Sequence, residues 1–128
     1  MPFQFHLQAV QKVNEFKRDA EKQTLADLLT QQNALAAEEE TLQKELADSQ
    51  AEREDLMRSG TLDVTQLQAY FQFESHVKEK LEEVRQKQNA LTQVVEGQRE
   101  MVLQAEQEVK KLEKLEEKQR EEYKKKHG

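Results

Sequence analysis

The chain has 128 residues, of which 36% are charged, 35% hydrophobic and 5% aromatic, and its formal net charge is −6. This length allows at most one domain, and the composition, which includes eighteen glutamines, provides too little apolar material for a compact core. We therefore expect no enzyme, because a catalytic pocket has to be enclosed by several elements. The negative net charge argues against general nucleic-acid binding.

Several site classes have no support in the sequence. There is no cysteine for disulfides or thiolate metal sites, and the three histidines lie far apart. No glycine-rich phosphate loop is present, so we expect no catalytic residue, metal, cofactor or small-molecule substrate. The longest apolar run, residues 34–37, is too short for a membrane span or a signal peptide. We expect a protein of the reducing cytosol.

The first half of the chain is predicted to form one helix, over about residues 5–58. Leucines follow a strict seven-residue step, with Ser49 in one gap and two further leucines on the intervening positions: Leu28, Leu35, Leu42 and Leu56, then Leu25 and Leu46. Upstream, the apolar residues keep to one face but their spacing drifts: Phe3, Leu7, Val10, Val13, Phe16 and Ala20. We expect this upstream part to bend or overwind.

The chain has one clear break, at about residues 59–63. Gly60 can take the left-handed conformation that ends a helix. Asp63, with Gln66 three residues later, has the spacing of a capping box that begins the next helix. A second helix is therefore predicted over about residues 64–126.

The second half follows a seven-residue repeat without a slip. Twelve of its seventeen a and d positions are apolar. The a positions are Leu67, Glu74, Leu81, Gln88, Val95, Val102, Val109, Glu116 and Tyr123. The d positions are Tyr70, Val77, Val84, Leu91, Gln98, Ala105, Leu112 and Gln119. Such a repeat requires a partner helix in a left-handed supercoil.

The first helix can be that partner, because the two halves are nearly equal in length. Folding back at Gly60 predicts a single all-α domain over residues 1–128, a long two-helix antiparallel coiled-coil hairpin that is monomeric when free. In that pairing Phe16 lies near Ala105, and Leu42 lies near Leu81. The alternative is a broken rod that dimerises in parallel.

Charge is unevenly distributed along the chain. Residues 38–55 have a net charge of −6, and residues 110–128 have a net charge of +3. The basic end would be attracted to an acidic socket on a partner, whereas the middle would be repelled by one. The alternative interpretation is that mixed charges only solvate long helices.

Aromatic residues cluster just after the turn. Phe71 and Phe73 fall at e and g positions, beside the seam that a hairpin buries. Either these rings cap the tip of the hairpin against Met57 and Leu62, or they form a patch that binds a partner.

Three segments carry a resemblance to a known family. Residues 3–10 read FQFHLQAV, residues 108–114 read EVKKLEK, and the turn Ser59-Gly60 precedes Leu67, Tyr70, Phe73, Val77 and Leu81. In order and spacing they resemble the flagellar FliJ family, small cytoplasmic coiled-coil proteins of the bacterial flagellar type III export apparatus. The chain departs from the family pattern at Glu74, where an apolar residue is common. It also ends at Gly128, short of the family's acidic tail.

The resemblance implies a hairpin shaped like the central stalk of rotary ATPases. It implies binding to the hexameric flagellar export ATPase, to the export gate protein in the membrane and to export chaperones, at the inner face of the cell membrane. The residues that would face the ATPase are Phe3, Phe5, Leu7, Val10, Lys110, Lys111 and Lys114. Those that would face the gate are Tyr70 and Phe73.

Other functions remain compatible with the residues alone. One is the equivalent stalk of a virulence type III secretion system, and another is a plain dimeric spacer. A third is a holdase-like chaperone similar to prefoldin, although the short segment around Gly60 cannot supply the β-hairpins of that family.

Overall fold

The protein folds as an all-α helical hairpin, as its repeat pattern predicts. The structure, a computed structural model, describes residues 2–128 and contains two helices in that range, α1 (Gln8–Ser59) and α2 (Val64–His127). Helix α1 begins three residues later than the sequence indicates. The Gln8 amide donates to the Phe5 carbonyl at 3.1 Å, and the buried Phe5 side chain belongs to the non-helical segment before the helix.

The turn between the helices has the structure that its residues predict. Gly60 has φ +71°, its amide donates to the Met57 carbonyl at 3.2 Å, and the Thr61 amide donates to the Leu56 carbonyl at 3.3 Å. These two bonds form a Schellman motif, which satisfies carbonyls at the end of α1. Asp63 and Gln66 then cap α2 reciprocally, each side-chain oxygen accepting the other's backbone amide at 2.8 and 3.1 Å.

The described residues divide into two compact units, and the helices pair antiparallel in each. The terminal unit contains the residues up to Leu29 together with Val94–Gly128, and the turn unit is Thr30–Gln93. In the terminal unit Gln11 contacts Glu116, and Glu21 contacts Gln98. In the turn unit the pairs are Glu39 with Arg85 and Arg53 with Glu74. Within each unit, residues later in α1 contact residues earlier in α2, which is the order that antiparallel pairing produces.

The predicted seam of α2 is confirmed position by position. All seventeen a and d residues are buried or half-buried, and between residues 64 and 127 only Glu106 and Leu115 share that property. In the turn unit a cluster of buried aliphatic side chains forms the core, with two half-buried leucines packed against it: Leu42, Val77, Leu81 and Val84, then Leu35 and Leu46. Leu42 therefore packs at the level of Leu81, as the turn position predicts.

Candidate partner-binding surfaces

The residues before α1 are fixed against the end of α2. The Phe3 ring lies 5.7 Å from the Tyr123 ring between centroids, and the Arg120 guanidinium lies 5.3 Å from the centre of the Phe3 ring. Phe5 is buried and Leu7 is half-buried. Of the four apolar residues that the resemblance assigns to the ATPase-facing end, only Val10 is largely exposed. Aromatic and cation–π packing of this kind holds a short non-helical segment in place.

The apolar residues of early α1 do not enter the seam. Val10 is 47% exposed and Phe16 is 77% exposed, and Val13 and Ala20 also face solvent. These four residues therefore lie outside the seam, on a solvent-facing side of α1. The buried face of α1 can be followed back from Leu56 in alternating steps of three and four residues. In early α1 these steps fall on four polar or charged residues instead: Gln11, Asn14, Arg18 and Glu21.

Hydrogen bonds between the helices replace apolar packing in this polar part of the seam. The Gln11 side-chain amide donates to the Glu116 carboxylate at 2.8 Å, and that of Gln98 donates to the Glu21 carbonyl at 3.0 Å and to the Glu21 carboxylate. Among the described residues no buried side-chain nitrogen or oxygen lacks a partner. A polar seam is stable only when it is satisfied in this way.

A hollow of about 550 Å³ lies beside that polar seam in the terminal unit. Phe16 and Ala20 line it from α1, and Met101 and Ala105 line it from α2. Phe16 and Ala105 therefore line the same hollow, which agrees with the predicted pairing. Together with the exposed Val10 and Val13, Phe16 makes early α1 present apolar side chains to solvent. Exposed apolar groups beside a hollow are typical of surfaces that bind another protein.

The three lysines assigned to the same end are all exposed. The Lys111 ammonium pairs with the Glu108 carboxylate at 3.0 Å. Lys110 lines a second hollow whose charged residues include both bases and two carboxylates: Arg18, Lys22, Glu106 and Glu113. Neighbouring carboxylates thus offset part of the positive charge. The electrostatic attraction of this end for an acidic partner is weaker than the lysine count alone indicates.

A groove in the turn unit contains both residues assigned to the gate. It measures about 400 Å³ and is lined by residues of both helices: Glu45, Asp48, Ser49, Glu52, Ala69, Tyr70 and Phe73. Phe73 is 45% exposed, whereas Tyr70 is half-buried. Hydrogen bonding to the Glu52 carboxylate, burial and the negative charge of that carboxylate raise the pKa of Tyr70.

Phe71 lies on the opposite side of α2 from this groove. It is 49% exposed, and the Arg53 guanidinium lies 4.8 Å from the centre of its ring. Met57 is also about half exposed. The rings of Phe71 and Phe73 are therefore not buried, as rings that cap the tip of the hairpin would be. Phe71 and Phe73 are therefore similar in exposure and differ in surroundings.

A buried ion pair crosses the seam between these two aromatic residues. The Glu74 carboxylate is buried and accepts hydrogen bonds from two nitrogens of Arg53, at 3.0 and 3.2 Å, and from the Ser49 hydroxyl at 3.3 Å. The bond to Glu74 raises the pKa of Arg53. In the sequence Glu74 is a charged residue at an a position and a departure from the family pattern. The step of seven from Leu46 to Arg53 could have indicated its partner.

Comparison with known proteins identifies the family. The family model described as "Flagellar FliJ protein" matches residues 3–127, which is nearly the whole chain. The chain belongs to the FliJ family. It is accordingly a component of the flagellar export apparatus. No curated protein and no solved structure matches it.

In this FliJ-family chain the nine assigned residues fall into two separate groups. The residues that the resemblance assigns to the ATPase all lie in the terminal unit, and the two that it assigns to the gate line one groove of the turn unit. Within the described residues no group of histidine and acidic side chains could hold a metal ion. None of the described helices combines the length and the apolar character that crossing a membrane would need.

Proposed function

We propose that this FliJ-family protein is a non-enzymatic stalk that couples the hexameric export ATPase to the export gate. The observation that carries the proposal is the family match over residues 3–127 of a chain that folds as a coiled-coil hairpin. Paired helices resist independent bending because bending one of them breaks the packing of the seam. Rigidity of this kind allows one surface to transmit position or torque to another. Export chaperones are further proposed partners, at the cytoplasmic face of the membrane.

The terminal unit is the proposed ATPase-binding end. Val10 supports this role because it is exposed on α1, and Lys110, Lys111 and Lys114 are accessible on α2. Phe3 and Phe5 would act indirectly, by holding the segment that leads into α1. An apolar centre with charged residues around it is a common composition for a protein interface.

The test of the ATPase contact is the activity and assembly of the purified hexameric ATPase with and without this protein. We expect stimulation, and we expect Val10→Asp to abolish it, because a charge at the centre of an apolar interface is costly. Leu103→Asp is the matched control, since Leu103 is also 47% exposed and lies in the same unit. Equal effects of the two substitutions, or no effect of the native protein at saturation, would refute the ATPase contact.

The groove in the turn unit is the proposed gate-binding surface. Binding of the cytoplasmic domain of the gate protein, measured by titration calorimetry, tests it directly. Phe73→Ala should weaken binding about tenfold or more, as truncation of a central aromatic residue does at other interfaces. Phe71→Ala should have little effect, although the two rings are similarly exposed. A larger loss with Phe71→Ala would move the surface to the other side of α2.

A further inference from the structure

The gate-facing groove combines an aromatic floor with an acidic wall. Tyr70 and Phe73 of α2 contribute the floor, and three carboxylates of α1 form the wall: Glu45, Asp48 and Glu52. A partner that filled the groove with apolar side chains alone would leave these carboxylates beside a surface that excludes water. Carboxylates in that position favour a binding partner that brings positive charge.

Within the described residues, none of the three carboxylates of the wall forms an ion pair. Lys44, which precedes Glu45 in the chain, is exposed and is paired with none of the three in that part of the chain. Arg53, the adjacent base, is engaged by Glu74 across the seam. The surrounding segment, residues 38–55, has a net charge of −6, so the field of the segment reinforces the wall.

The spacing of the wall fits a short length of helix. The three acidic residues stand at i, i+3 and i+7, which places them on one face of α1 over about 10 Å, or two helical turns. A partner helix that lies in the groove between α1 and α2 also has its residues i, i+3 and i+7 on one face. Its basic residues can then meet all three carboxylates while one apolar side chain contacts Phe73.

We propose that this groove binds a cationic amphipathic helix of a partner protein, with an apolar residue on Phe73 and lysines or arginines facing Glu45, Asp48 and Glu52. The inference rests on the proposed function, because it assigns a chemistry to the partner of the gate-facing surface. It adds three acidic residues to Tyr70 and Phe73, and it makes binding sensitive to salt.

The direct test uses a labelled synthetic helix of about 14 residues with a leucine stripe flanked by lysines at helical spacing, and fluorescence anisotropy at about 50 mM salt. The groove variant removes the three charges, and the control variant removes three exposed, unpaired charges in the same unit that lie away from the groove. The groove variant is Glu45→Gln, Asp48→Asn and Glu52→Gln. The control variant is Glu40→Gln, Glu79→Gln and Glu82→Gln.

We expect the groove variant to bind the peptide about tenfold more weakly, and the control variant to change the dissociation constant less than about twofold. The difference should disappear near 0.5 M salt, where the screening length is only a few ångströms. Equal weakening in both variants would show attraction to net charge alone and overturn the proposal. Equal binding of a matched peptide with glutamate in place of lysine would also overturn it. Circular dichroism of each variant verifies that the hairpin is intact.

The cytoplasmic domain of the gate protein separates this inference from the proposed function. If Phe73→Ala weakens binding of that domain and the groove variant does not, the gate surface stands and the cationic helix is wrong. If the groove variant loses the peptide while Phe73→Ala leaves the domain bound, the cationic groove stands and the gate assignment fails. Self-association in sedimentation that only the groove variant abolishes would identify a second copy as the occupant, and would overturn the proposal.

Discussion

The two internal glycines should respond to alanine with opposite signs. Gly60 has φ +71°, and nothing lies within 4 Å of a Cβ built on it, so its substitution is opposed by the backbone conformation and not by a clash. The left-handed conformation costs an L-residue about 1–2 kcal/mol. A smaller unfolded-state entropy offsets about 0.4–1 kcal/mol of this cost. Gly60→Ala should therefore lower the free energy of unfolding by about 0.5–1 kcal/mol.

Gly97 is the matched control for the same chemical change. It lies inside α2 with ordinary helical φ, and its added Cβ would also meet nothing within 4 Å. Alanine is favoured over glycine by about 0.5–1 kcal/mol in a helix interior, so Gly97→Ala should raise the free energy of unfolding by that amount. The two variants should differ by about 1–2 kcal/mol.

Thermal and urea unfolding, followed by helical circular dichroism, measures this difference. For a chain of this size 1 kcal/mol corresponds to about 3–5 °C in Tm, so Gly60→Ala should melt lower than the native protein and Gly97→Ala higher. Gly60→Asn should melt above Gly60→Ala, since asparagine tolerates the left-handed region better. Stabilisation of both alanine variants would refute the left-handed conformation of Gly60 at the end of α1 in solution.

Three further predictions test the seam. Val77 is 2% exposed, so Val77→Ala should lower the free energy of unfolding, measured by urea titration, by about 1.5–3 kcal/mol. Val64 is 71% exposed, so Val64→Ala should change it by less than about 0.5 kcal/mol. Similar losses in the two variants would contradict the packing of the seam. Arg53→Met should destabilise the protein by leaving the buried Glu74 carboxylate unpaired, and adding Glu74→Leu should restore stability; a double variant no more stable than the single one would contradict the unpaired carboxylate as the cause. The pKa of Tyr70 is raised in the folded protein. The stabilisation that this shift contributes is therefore complete below the unfolded pKa of about 10, and it is lost as the pH rises through the folded pKa. Urea unfolding from about pH 8 to about pH 11 should therefore bring the native protein and Tyr70→Phe closer in stability, and a constant difference would contradict this.

The sequence alone predicted the structure correctly where the sequence pattern is local, as at the turn, or strictly periodic, as in α2. Gly60 with the Asp63 and Gln66 box located the turn, because the backbone groups at helix ends must be satisfied by neighbours in the chain. The repeat of α2 predicted every buried position, including the polar ones. A seven-residue repeat sustained over this length defines one face whatever residue occupies a given position.

The candidate surfaces could be predicted only in part. Tyr70 and Phe73 were identified from their positions and from the family resemblance, and the structure brings both to one groove. The acidic wall of that groove comes from α1, and its alignment with the floor depends on how the two helices pair. No motif within either helix encodes that alignment.

The sequence by itself determined two helices, the turn between them and the buried face of α2, because capping and periodicity act within one helix. Tertiary structure decided which face of early α1 is buried. There Val10 and Phe16 face solvent while Gln11 and Glu21 bond across the seam. The helical step set by the leucine seam continues into residues whose own apolar pattern favours another face. The same pairing gave the buried Glu74 its partner, Arg53.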